Sequence, residues 1–293
     1  MRTVLSLIRR NLRVFFRDIA AVCLSLLAAL VLFVLYVAFL GGLQVDTLRQ
    51  QLPSASVADI EWFVSSWVFA GVVMITTVTT GIAGLATFVQ DRSSGRYKDF
   101  LVAPVRGWQL IAGYLVSSAA IAVVMSVVVL IVGQLYLLIS GYPPASALQL
   151  LQTLGVIVLL SLTFSGMSAF IMTFVKSTGA FGALSTVIGT VVGFLAGAYL
   201  PLGLLSSTVV NTLNVLPFSQ AAMLVRLPLT NDSVAQLTGG NAEAARTLNE
   251  YFGMTLLVNE STITAWLCVA ILLALLLTFT ALASLRIGVV LRR

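Results

Sequence analysis

The sequence predicts an all-α polytopic membrane protein with six transmembrane helices, an N-terminal amphipathic interfacial helix and short re-entrant outer helices after the fifth span. Three observations predict it. Of 293 residues, 59% are hydrophobic and only 9% are charged, against roughly 25% charged in soluble domains, so there is too little polar surface to coat a body in water. Several uninterrupted apolar runs reach the ~20 residues that a helix needs to cross the hydrocarbon core. Runs such as 20–40 and 123–132 do not alternate polar and apolar residues, as the strands of a membrane barrel would. Lipid offers the backbone no partners, so helices remain.

Residues 1–18 open the chain as the interfacial helix. Val4, Leu5, Ile8, Leu12, Phe15 and Phe16 recur at helical spacing, while Arg9, Arg13 and Arg17 lie four apart on the other side, joined by Arg2 and Arg10. This suits a helix lying on the membrane with its arginines on anionic head groups; a plain positive flank that sets orientation fits the same residues. Basic residues extend from Arg2 to Arg17 and no small-residue cleavage pattern follows, so the first span is expected to be retained rather than removed as a signal.

The spans are predicted at 19–40, 66–88, 110–139, 149–175, 179–199 and 263–286. The third is longer than one crossing and should tilt or project into water. The stretch 200–229 is broken by Pro201, Pro217 and Pro228, which predicts short half-inserted helices rather than a seventh crossing. The whole of 1–293 then reads as one transmembrane domain, with 89–109 as a cytoplasmic loop and 200–262 as the re-entrant and extracellular segment. Of the sixteen lysines and arginines, this layout puts only Arg49, Arg226 and Arg246 outside. The bias predicts a multi-pass protein of the cell membrane with both termini cytoplasmic. The net charge of +6 is therefore a topology signal, and no nucleic-acid partner is expected.

Composition also narrows the chemistry. There is no histidine, and Cys23 and Cys268 both fall inside apolar spans, where small buried hydrophobes are the expected role; no metal site is predicted. The spans hold essentially no ionisable residue at mid-depth, which argues against a proton-coupled carrier. The two lysines, Lys98 and Lys176, do not follow glycine, so there is no phosphate-cradling P-loop. No nucleophile–base pair stands near a membrane face. The chain is expected to have no catalytic residue and no cofactor of its own.

The loop from Asp91 to Leu110 is the most informative segment. A short helix from about Gly95 to Val102, stopped before Pro104, would run along the membrane face. Tyr97, Phe100 and Leu101 give it an apolar edge, and Arg96, Lys98 and Asp99 give it charge. Such a helix suits a groove on a soluble partner; an ordinary positively anchored loop is the alternative.

In this loop the sequence resembles the type-two permeases of ATP-binding-cassette transporters, the membrane subunits of drug, polyketide-antibiotic and polysaccharide exporters. Their loop reads acidic-Arg-x-x-Gly, then small-Pro-apolar, and Asp91, Arg92, Gly95, Ala103, Pro104 and Val105 match. Arg96 and Lys98 stand where the family often has Thr and an acidic residue. The segment from Pro217 to Arg226 is similar to a second family pattern, Pro-apolar-small-aromatic running to Leu-Arg, with Gln220 and Met223 as departures.

The resemblance implies a dimer of six-span units, homodimeric or heterodimeric, above two soluble ATPase subunits that bind ATP and Mg. It implies export of an amphipathic or lipid-linked substrate, in a bacterial or archaeal cell. Asp91, Arg92, Gly95, Arg96, Tyr97, Lys98, Asp99, Phe100, Ala103 and Pro104 would form the coupling helix. A substrate path would lie at the dimer interface between the second and fifth spans. The residues of those spans leave choices open. Thr76, Thr77, Thr79 and Thr80 either line a polar cavity or bond back to their own helix. Phe69, Met74, Phe181, Ser185 and Phe194 are path candidates that core or lipid contact would also suit. Gly189, Gly193 and Gly197 let a helix approach closely, within one subunit or across a dimer. A non-transporting scaffold or sensor that binds an outside ligand, and an ion-coupled carrier, are the alternative functions.

Overall fold

The structure is a computed structural model that describes residues 2–36, 41–53, 55–96, 107–259 and 261–290. Helix α1 (Arg2–Arg17) turns by 74° into α2 (Ile19–Leu35). Asp18 sits at the corner and its Oδ1 accepts the Ala21 N–H at 3.0 Å, capping α2. Next come α3 (Gly41–Gln51) and α4 (Val57–Gly84), the latter begun by Ser56, whose Oγ accepts the Asp59 N–H at 3.1 Å. After a break at Leu85, α5 (Ala86–Ser93) continues the same span. After residue 106, α6 (Gly107–Ile139) leads to α7 (Ala147–Met172), which opens with a capping box of Ser146 and Gln149. Helix α8 (Thr178–Leu195) follows, then α9 (Ser207–Val215) and α10 (Pro217–Leu237), set at 85° to each other. Helix α11 (Ala242–Tyr251), the antiparallel hairpin β1 (Leu256–Val258) and β2 (Ser261–Ile263), and α12 (Ala265–Val290) complete the chain.

Among the described residues, five helical stretches are long and apolar enough to cross a membrane: 57–93, 107–139, 147–172, 178–195 and 265–286. Counting α1–α2 and α9–α10 as single bent spans raises the number to seven. The protein is thus a polytopic helical membrane protein.

Helix α4 is the axis of the bundle. It packs on α6, α7 and α10, with α2, α3 and α8 completing the ring, and is buried along most of its length. Its threonines do not depend on that ring for hydrogen bonds. Thr76 donates to Val72 O at 2.7 Å, Thr77 to Met74 O at 2.6 Å and Thr80 to Thr76 O at 2.6 Å. Of the two roles open to these hydroxyls, the structure has the back-bonded one. Cross-helix polar ties come instead from Ser118 on α6, which reaches Gly81 O at 2.6 Å and the Ser165 Oγ of α7 at 2.9 Å.

Close approach of α4 and α6 depends on Gly84. A methyl group there would sit 2.8 Å from the Ser118 Cα, a backbone atom that cannot swing aside. Gly84→Ala is expected to lose about 1–3 kcal/mol as the helices separate. Gly42→Ala on α3, with nothing within 4 Å, should leave the thermal midpoint unchanged or slightly raised. Equal midpoints for the two variants would refute close packing at Gly84.

Several elements differ from expectation. Pro228, read as a break, lies inside α10; its cost of about 3 kcal/mol is offset by packing, since residues 219–226 of the helix are all buried. Residues 41–51 form a helix within what reads as an outer loop. Helix α8 ends at Leu195 rather than at 199, because Gly197 takes a left-handed turn at φ +59°.

Candidate functional site at the end of α5

The last turn of α5 carries two consecutive residues that point in different directions. Asp91 faces inward and is 1% exposed. Both of its oxygens accept from Arg10 on α1, Oδ2 from Nη1 and Oδ1 from Nη2, each at 2.7 Å. The Tyr114 Oη of α6 donates to the same Oδ2 at 2.6 Å. A bidentate guanidinium and a phenol on one buried carboxylate fix geometry as well as supplying energy. One residue along α1, Asn11 is buried and donates to the Ser117 Oγ of α6 at 3.1 Å. Arg92 reaches the other way, its Nη1 donating to Thr173 O at 2.7 Å and Val175 O at 3.1 Å. Those carbonyls end α7, where a cation suits both the unmet acceptors and the helix dipole. Two adjacent side chains therefore fasten α5 to α1 and α6 on one side and to α7 on the other.

Gly95 then closes α5. Its φ of +77° and its N–H bond to Arg92 O at 3.4 Å make it the left-handed residue beyond the helix end. Gly95 thus terminates the preceding helix and Arg96 opens a 3-10 turn; the rest of the short helix expected from about Gly95 to Val102 lies outside the described residues. Arg96 follows as an exposed residue. Tyr97, Lys98, Asp99, Phe100, Ala103 and Pro104 lie outside the described residues.

The path candidates scatter. Met74, Thr76, Thr77 and Thr80 are fully buried within the subunit, and Phe69 stacks on Phe33 with ring centroids 4.0 Å apart. None of them faces an open path in the single subunit, because the subunit's own helices ring α4. On α8, Phe181 is half-buried, Ser185 returns its hydroxyl to Phe181 O at 2.8 Å, and Phe194 is exposed. The glycine stripe packs inside the subunit: Gly189 against Thr79, Gly193 against the Tyr199 ring and Gly197 against Leu202. The uncovered face of α8 is another one, carrying Ala183, Thr186, Val187, Thr190, Val191 and Phe194.

At the far end of the bundle, the second motif ends on Arg226, which is 0% exposed. It donates to Ala196 O at 3.3 Å, Gly197 O at 2.6 Å and Gly253 O at 3.4 Å, and lies 4.9 Å from the Trp67 ring centroid. It pins the end of α8, the turn after α11 and α4 together. Trp67 itself donates to Phe252 O at 2.8 Å. No group of three or more histidine, cysteine or acidic residues among the described residues is placed to hold a metal ion.

Sequence reasoning missed Arg10 and Tyr114. Arg10 was grouped with the head-group arginines, yet one residue is 100° of helix, which turns it from the Arg9–Arg13–Arg17 stripe toward the side of Leu7 and Asn11. That phase was the available signal. Tyr114 offered none, since nothing local distinguishes it from an apolar neighbour.

In comparison with known proteins, the family described as ABC-2 family transporter protein matches residues 42–285, more than four-fifths of the chain. The match runs from α3 into α12 and leaves out α1 and α2. No curated protein matches the chain.

Proposed function

The chain belongs to the ABC-2 family of transporter proteins, and from that premise we propose that it is the membrane half of an ATP-driven exporter, moving an amphipathic or lipid-linked substrate outward. As a permease of an ABC transporter it works with an ATPase subunit. In this reading a separate soluble chain binds ATP and Mg. A second permease, identical or related, packs against the uncovered face of α8. The chain crosses six times, with α2 as the first crossing, and both termini are cytoplasmic. The α9–α10 pair is re-entrant from the outside, and α11 lies outside. The lysine and arginine bias supports that orientation.

The observation that carries the reading is the double fastening at Asp91 and Arg92. A push on the segment 94–106 meets α5, and α5 is tied to α1, α6 and α7 by short charge-assisted bonds. The push therefore displaces several helices as one body rather than bending a loop. Two packings of rigid bodies about an interface suffice for alternating access.

The test is a mild-detergent pull-down of the tagged chain from native membranes, with ATPase assay of what accompanies it. A P-loop ATPase in fixed ratio, with vanadate-sensitive turnover, is the expected result. Gly95→Val, strained at φ +77° by roughly 1–2 kcal/mol, should reduce the stimulated turnover, and Gly95→Asn, which tolerates that conformation, should retain it. No associated ATPase in several detergents and in lipid nanodiscs would overturn the reading.

A further inference from the structure

At the end of the bundle opposite α1, the last residue before 37, helix α3, the first turns of α4 and the far end of α6 enclose a cavity of about 450 Å³. Small-molecule sites run from roughly 300 to 1,000 Å³. Three tyrosines, Tyr36, Tyr136 and Tyr142, share its wall with Asp46, Glu61 and Arg49. Two carboxylates against one guanidinium leave an excess of negative charge. Among the described residues neither carboxylate has a basic side chain at ion-pair distance; the ion pairs are Arg10–Asp91 and Arg246–Glu250.

The wall is held in place. Tyr142 donates its hydroxyl to Glu61 at 2.7 Å. Burial, and then the Glu61 carboxylate, push the Tyr142 phenol above its ordinary value, so it stays a neutral donor. Tyr136 packs against the Phe33 and Phe69 rings, and Tyr36 against Trp67. Tyr36 is 1% exposed and its buried hydroxyl has no hydrogen-bond partner among the described residues. Tyr136 and Tyr142, both half-buried, supply the accessible aromatic surface of the wall, and aromatic rings together with a carboxylate attract a cation in a partly enclosed site. A bare metal ion would need an oxygen cage, which a wall of tyrosine rings with two exposed carboxylates does not make. We propose that this cavity binds a monovalent organic cation with an apolar body.

The proposal stands on the cavity wall alone and holds whether or not the chain exports anything. It is tested on the full chain in nanodiscs of neutral lipid, with tetraphenylphosphonium as the probe and tetraphenylborate, of matching shape and opposite charge, as its counterpart. Saturable binding of one tetraphenylphosphonium per chain is expected, above that of empty discs, with no saturable tetraphenylborate binding. Glu61→Gln and Asp46→Asn should each weaken it by about 5- to 10-fold, and Arg49→Gln should tighten it by a similar factor. All three positions are exposed, and unchanged gel-filtration elution verifies the fold. Binding no greater than in empty discs, equal binding of tetraphenylborate, or affinity untouched by both carboxylate variants would overturn the proposal. So would weaker binding in Arg49→Gln, which would assign the cavity to a zwitterion.

Discussion

Replacing Asp91 with asparagine is expected to lower the ATP hydrolysis stimulated through this permease by roughly 5- to 100-fold, the range of a typical coupling free energy. The amide keeps the size of the carboxylate but turns one acceptor into a donor. Arg10 presents two donors and Tyr114 a third, so at least one of them faces an N–H. Breaking a buried ion pair from one side costs about 3–5 kcal/mol. Arg10 is 35% exposed and can turn to water, so about 2–3 kcal/mol is the better expectation for stability. The lost tie also frees α1 from α5, and that loss should appear in coupling rather than in assembly. The double variant Arg10→Met with Asp91→Leu separates the two effects. It removes both charges and should recover most of the thermal midpoint, while the double-mutant cycle reports the energy of the pair. An Asp91→Asn protein with wild-type midpoint and wild-type stimulated turnover would sink the role given to this junction.

Arg226 should be the more damaging position for stability. Arg226→Met fills a similar volume but leaves the Ala196 and Gly197 carbonyls without their donor inside the protein. We expect a loss of about 2–4 kcal/mol, from carbonyls left unmet at about 1–3 kcal/mol each, offset in part by the desolvation that a buried charge no longer costs. Arg226→Lys keeps the charge but not the fork that spans three carbonyls, and about 1–2 kcal/mol is expected for it. The order of thermal midpoints should be wild type, then lysine, then methionine. Because the guanidinium lies over the Trp67 ring, the methionine variant should also shift the tryptophan emission. Equal midpoints for methionine and lysine would show that the carbonyl contacts contribute little.

The long helices were legible because an apolar run that crosses lipid leaves a mark in composition. Their ends were not. Helix α4 begins at Val57, nine residues before the expected span, since Asp59 and Glu61 are no obstacle to a helix that projects beyond the hydrocarbon. Helices α3 and α11 were missed for the same reason, that polar residues at a membrane face suggest loop; α11 nonetheless carries a local start signal in Asn241, whose Oδ1 accepts the Glu243 and Ala244 N–H groups. At the site, Asp91 and Arg92 were found as motif residues, but the motif carried no sign that both point into their own subunit. The threonines of α4 were left open between cavity and helix, and the choice fell to the helix because the subunit's own neighbours surround them. The glycine stripe of α8 pointed to close packing, yet Gly193 and Gly197 make room for Tyr199 and Leu202 of the following turn, a contact that no helical spacing reveals.

The back-bonding of the α4 threonines also bears on how the chain enters the bilayer during synthesis. Helix α4 emerges from the ribosome well before α6, α7 and α10, the helices that later cover it. Through that interval it stands in lipid without them. Thr76, Thr77 and Thr80 already have their acceptors one turn away, so the nascent segment carries no polar group waiting for a later helix at those positions. Trp67 is the contrast: its partner carbonyl on Phe252 is 185 residues downstream. The Trp67 end of α4 can be locked only once nearly the whole chain has been made, whereas the threonines at its middle have their acceptors as soon as the helix forms.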